Sequence, residues 1–123
     1  MKVKSKAPVI MDTNALIMQM EYRIDIEDEL TGLLGAHEIL IPSAVIAELH
    51  GINNKFSKAA LKFASRFRTL DSVKSGDEAI LSLALKLKAV VVTNDRELRM
   101  KLKENDLRVI YIRQRSYLAI DIP

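Results

Sequence analysis

Short apolar runs with no polar alternation recur along this chain, and helical patterns separate them. PVIM at Pro8–Met11, HEILI at His37–Ile41, AVVVT at Ala89–Thr93 and RVIYIR at Arg108–Arg113 are each strand length. A strand with one wet face alternates polar and apolar residues. Runs that are apolar on both sides call for a strand covered on both faces. Helices between such strands predict parallel pairing through crossover connections. The expected fold class is therefore α/β: a three-layer α/β/α sandwich around a central, mostly parallel sheet.

The intervening segments fit that scheme. Helices are expected over Asn14–Met20 and over Ile26–Leu34, the second closed by Gly35. Ser43 is placed to cap a helix running to His50. Asn54–Arg68 predicts an amphipathic helix, with Phe56, Ala59, Ala60, Phe63, Ala64 and Phe67 inward and Lys55, Lys58, Lys62 and Arg66 outward. Helices follow over Gly76–Lys88 and Arg96–Glu104, and a last strand over Tyr117–Ile120. No linker or repeat divides the 123 residues, so one domain over 1–123 is expected. No apolar run nears the ~20 residues that span a bilayer. The expectation is a soluble, cytoplasmic protein with no membrane partner. The absence of cysteine removes disulfides, zinc ribbons and thiol nucleophiles. The net charge of +3 points to a nucleic-acid partner only if the basic residues cluster.

The acids are placed more tellingly than the bases. Sites in open parallel sheets form outside the carboxyl ends of the strands. Asp12 ends the first strand and Asp95 follows AVVVT by two residues. Each also suits an ordinary cap or Asx-turn. Glu48 has Ala44, Val45, Leu49 and Ile52 around it at helical spacing, which sets it on or beside an apolar face. A carboxylate buried there needs a metal, a flanking cation or a shifted pKa. Ser75 and Glu78 have capping-box spacing, which leaves Asp77 spare at the helix start, where it also suits the helix dipole. Four segments thus deliver one acid each towards one edge. An oxygen-only donor set suits Mg²⁺ or Mn²⁺, and such ions activate water and stabilise the leaving oxygen in phosphoryl displacement. Arg96, Arg99, Lys101 and Lys103 follow Asp95 and are the expected phosphate contacts. No aromatic platform for base stacking is evident. His50, at a helix end, is a candidate general base against an ordinary surface histidine.

With these motifs on the page, the chain resembles the PIN-domain nucleases. The resemblance is carried by VIMDTNALI (Val9–Ile17), IPSAVIAEL (Ile41–Leu49), GDEAILSLAL (Gly76–Leu85) and VVVTNDREL (Val90–Leu98). It implies metal-binding and catalytic roles for Asp12, Glu48, Asp77 and Asp95, with Asn14 and Thr93 as supporting polar residues. It also implies Mg²⁺ or Mn²⁺ and an endoribonuclease acting on single-stranded or structured RNA. The stretch from Thr93 to Leu118 resembles the tail of the pre-ribosomal-RNA-cleaving PIN proteins of small-subunit assembly, which implies ribosomal RNA processing and a ribosome-assembly partner. That group has two aspartates where this chain has Asp77-Glu78, and extra sequence ahead of its first strand. Toxin-type PIN ribonucleases share the four acids, and that alternative implies an antitoxin partner. Homodimers are implied by either. A weakly active RNA-binding scaffold is a further alternative. A haloacid-dehalogenase phosphatase needs a second aspartate where Asn14 stands, and no glycine-rich phosphate loop is present.

Overall fold

The computed structural model describes residues 5–122. Its elements follow in the order β1 (Ala7–Met11), α1 (Thr13–Glu21), α2 (Ile26–Leu34), β2 (His37–Pro42), α3 (Ser43–Gly51), α4 (Ser57–Ala64), β3 (Arg68–Leu70), α5 (Gly76–Leu87), β4 (Val90–Val92), α6 (Arg96–Glu104), β5 (Val109–Arg113) and β6 (Tyr117–Asp121). The six strands form one sheet in the order β3-β2-β1-β4-β5-β6. Five run parallel, and β6 returns antiparallel to β5 through a short turn. The α/β class expected from the apolar runs is the observed one.

The core explains why those runs lack polar alternation. Val9, Ile10, Met11, Val91 and Val92 are fully buried, so the central strands are covered on both faces. Helices α1, α3 and α4 pack on one another, and α5 packs on α6. Gly35 ends α2 at a φ of +73°, a left-handed backbone that glycine adopts without a Cβ penalty.

Four local expectations are corrected. Helix α4 covers only Ser57–Ala64, flanked by turns, and Arg68 begins a strand instead of ending a helix. The 3.6-residue pattern persists into the turn because Phe63 and Phe67 still pack together, with ring centroids 5.0 Å apart. Ala59 is exposed, not part of the packed face. Ser43 is the first residue of α3 and not its cap, a position held by Pro42 with extended backbone. Its hydroxyl instead meets Ser72, 29 residues on. Ser75 does occupy the cap of α5, but no side-chain bond closes the expected box with Glu78.

The strand order sets the position of the site. From β1 the chain moves one way, to β2 and β3. From β4 it moves the other way, to β5 and β6. The carboxyl ends of the adjacent strands β1 and β4 therefore flank a topological switch point, where connections diverge and leave a crevice.

Candidate active site

Asp12 follows β1 and Thr93 follows β4, and the register brings them side by side. Met11 pairs with Val92, and the Asp12 N–H donates to the Val92 carbonyl at 3.2 Å. The Thr93 hydroxyl, fully buried, donates to Asp12 Oδ2. Asp12 Oδ1 accepts the Ala15 N–H at 2.7 Å and so caps α1. The capping role and the site position are held by one carboxylate. Asp95 repeats the pattern on α6, where Oδ1 accepts the Leu98 N–H at 2.8 Å. Its own N–H is held by the Thr93 hydroxyl at 3.1 Å. Thr93 therefore joins the two aspartates through a single oxygen.

The electrostatics locate the remaining acids. Burial raises the Asp12 carboxyl from its ordinary 3.8 to about 6 against the opposing bonds from Thr93 and Ala15, and the charges of Asp95 and Asp77 add to the rise. Asp77 is also raised, by burial first, then by Asp95, with Glu48 and Glu97 contributing in the same direction and Lys101 opposing. Four elements thus bring Asp12, Glu48, Asp77 and Asp95 into one field at the switch-point edge. Mutual repulsion of this kind is tolerated where a cation is to be held.

Glu48 reaches that field differently from the expectation. Its residue is exposed, not buried beside the apolar face, because the inward side of α3 is formed by Val45 and Leu49, with Ile46 packed partly against the core. No desolvated charge has to be compensated there. Its Oε2 accepts the Thr13 hydroxyl at 3.0 Å, which ties α3 to the residue after Asp12. Asn14, expected as a supporting polar residue, is exposed on the first turn of α1 and makes no side-chain hydrogen bond with another described residue. Thr13 carries the link instead. Glu97 and Thr13 were both missed from sequence. Thr13 adjoins Asp12 and Glu97 lies two residues past Asp95, so proximity to the motif acids was the available signal.

The basic residues divide by helix face. Lys101 lies close enough to lower Asp77. Arg99 and Lys103 are not free phosphate contacts, because both ion-pair with Asp121 Oδ2 on β6, at 3.1 and 3.2 Å. They hold the Asp121 carboxyl below its usual range. Arg96 is exposed at the start of α6. Lys58 and Lys62 on α4, with Lys55 and Arg66 in the turns that flank it, are exposed, and Arg66 pairs with Glu27 at 3.0 Å. His50 is exposed at the end of α3.

Among the described residues, no three acidic or histidine side chains close on a common point tightly enough to cage an ion unaided. The donor chemistry still fits a hard divalent ion. Every acid is a carboxylate, and Asp95 has an oxygen left over from capping. Mg²⁺ commonly keeps several waters and takes only one or two protein carboxylates.

Comparison with known proteins bears on the family and the fold. The model of the PIN like domain family matches residues 9–115. Ribonuclease VapC4 of Methanocaldococcus jannaschii is 32% identical, with 91% of this chain and 95% of the relative covered. Ribonuclease VapC9 of Archaeoglobus fulgidus is 25% identical, covering 92% and 88%. Among solved structures, the PIN domain endonuclease Utp24 superposes with a TM-score of 0.80 at 22% identity, over 94% of this chain and 92% of that one. VapBC2 from Rickettsia felis, solved bound to a DNA fragment from its promoter, gives 0.63 at 20% identity over 86% and 99%. The two solved structures bear on the fold alone. The family match and the sequence relatives go further: the chain belongs to the PIN-like domain family.

Proposed function

We propose that the protein is a divalent-metal-dependent endoribonuclease that hydrolyses phosphodiester bonds of single-stranded RNA. The observation that carries this is the delivery of Asp12, Glu48, Asp77 and Asp95 from four elements towards the switch-point edge, where the charges of Asp95 and Asp77 add to the rise of Asp12, and those of Asp95 and Glu48 to the rise of Asp77. The relatives named as ribonucleases match nearly their whole length to this chain, which supports the same activity. Asp12, Glu48, Asp77 and Asp95 would hold Mg²⁺ or Mn²⁺. Such an ion, when bound, lowers the pKa of water and stabilises the charge that develops on phosphate oxygens. Thr93 orients both Asp12 and Asp95, and Thr13 holds Glu48 over the same edge. Lys101, near Asp77, is suited to steer a phosphate in.

The test is cleavage of a single-stranded RNA with Mn²⁺ and without it. Asp12→Asn and Asp95→Asn should each lower the rate at least ~100-fold, a loss of the size seen when one transition-state stabilising group is removed. Asparagine preserves both helix caps, so circular dichroism should report an intact fold. Cleavage that survives chelator, or survives both substitutions, overturns the reading.

The physiological setting has two candidates, ribosomal RNA processing and a toxin–antitoxin pair. The coverage of the VapC relatives favours weighing the second. Growth arrest on expression that Asp12→Asn relieves would support it, and pre-ribosomal RNA left uncut on depletion would support the first.

A further inference from the structure

One face of α6 carries Arg96, Arg99 and Lys103 at i, i+3 and i+7. With Met100 and Asp121 they line an open cavity of about 200 Å³ between α6 and β6. Three cations face one carboxylate there. Asp121 Oδ2 receives both Arg99 and Lys103. The Arg99 guanidinium lies over the Tyr111 ring, 4.2 Å from its centroid; its Nε–H is buried, and of its terminal nitrogens only Nη2 is engaged, by Asp121. The ring therefore fixes the plane of a guanidinium whose donors are not exhausted. A planar fork held in this way suits the oxygens of a phosphodiester. Arg96 adjoins Asp95, and Lys103 lies about 10 Å farther at 1.5 Å per residue, so one strand could touch the acidic edge and this notch together.

We propose that the α6–β6 notch binds a backbone phosphate of the RNA, and that Asp121 is the internal anion which that phosphate displaces. The inference rests on the ribonuclease reading above and adds a competitor built into the fold. The Asp121 pairs are partly solvated, so they are weak enough to exchange.

The test is the affinity of a fluorescent single-stranded RNA across a salt series, measured in chelator so that nothing is cut. Asp121→Asn should tighten binding roughly three- to tenfold, while the salt slope, which counts phosphate contacts, stays near the wild-type value. Lys103→Gln should weaken binding and flatten that slope. Glu104→Gln, at the end of α6 and outside the notch, makes the same change in net charge as Asp121→Asn and should alter affinity much less. The notch is overturned if Asp121→Asn matches wild type, or if Glu104→Gln tightens binding as much. Asp12-dependent cleavage by the wild type, alongside either result, shows that only the notch has failed. Absence of both binding and cleavage by the wild type overturns the notch and the ribonuclease reading together.

Discussion

Asp12 carries a cost that should be measurable without any substrate. Its carboxyl is raised to about 6, burial being the main cause, so the folded protein holds this proton more tightly than the unfolded chain does. The contribution is fully present below pH about 4 and is lost as pH rises through about 6. At pH 7.5 the ionised group weakens the metal-free fold by something on the order of 2–3 kcal/mol. Asp12→Asn removes that charge and keeps an oxygen for the Ala15 N–H. In chelator, denaturant unfolding should find the variant more stable than wild type at pH 7.5, with the gain fading towards pH 4. Asp77 is raised in the same sense and is present in both proteins, so the difference reports Asp12 together with its interactions with Asp95 and Asp77. A gain that stays constant from pH 4 to 7.5 would show that the field at this residue is misjudged.

Elements that are apolar throughout were legible in the sequence, and so was the strand-end position of Asp12 and Asp95. Val90-Val91-Val92 has no way to sit except buried between neighbours, and Gly35 ends α2 where its backbone freedom is needed. What escaped was set by partners far along the chain. Strand β3 is a sheet edge whose Arg68 and Thr69 are exposed, so no apolar run announces it. The burial of Glu48 was misjudged because helical spacing names a face without saying how far the neighbouring layer extends. The start of α3 is the clearest case. Ser72 Oγ accepts the Ala44 N–H at 3.0 Å, and Ser43 Oγ accepts the Ser72 N–H at 3.0 Å. The loop after β3 thus supplies the cap that Pro42 lacks. Ser72→Ala should therefore cost about 1 kcal/mol in denaturant unfolding. The double variant with Ser43→Ala should cost less than the sum of the two, since each removes part of one network. Additive losses would mean that the two hydroxyls act separately.

Across the whole molecule, the switch point sets stability against function. Strands β1 and β4 form the most buried part of the sheet, and the acids stand where their carboxyl ends open. A bound divalent ion should reverse the penalty described for Asp12. Binding to the folded state alone stabilises by about 2.7 kcal/mol at a hundredfold excess over the dissociation constant. The carboxylates must be ionised to bind, so the thermal shift produced by Mn²⁺ should be small near pH 5 and large above pH 7. Asp12→Asn should behave in the opposite way. Without metal it should melt higher than wild type at pH 7.5, and Mn²⁺ should add little to it. The two melting temperatures should therefore draw together or cross as Mn²⁺ is titrated in. Asp95→Asn offers the control, since it retains its helix cap. It too should lose the Mn²⁺ shift. If both variants gain as much from Mn²⁺ as wild type does, the ion binds elsewhere, and the acids at the switch point serve only to cap helices.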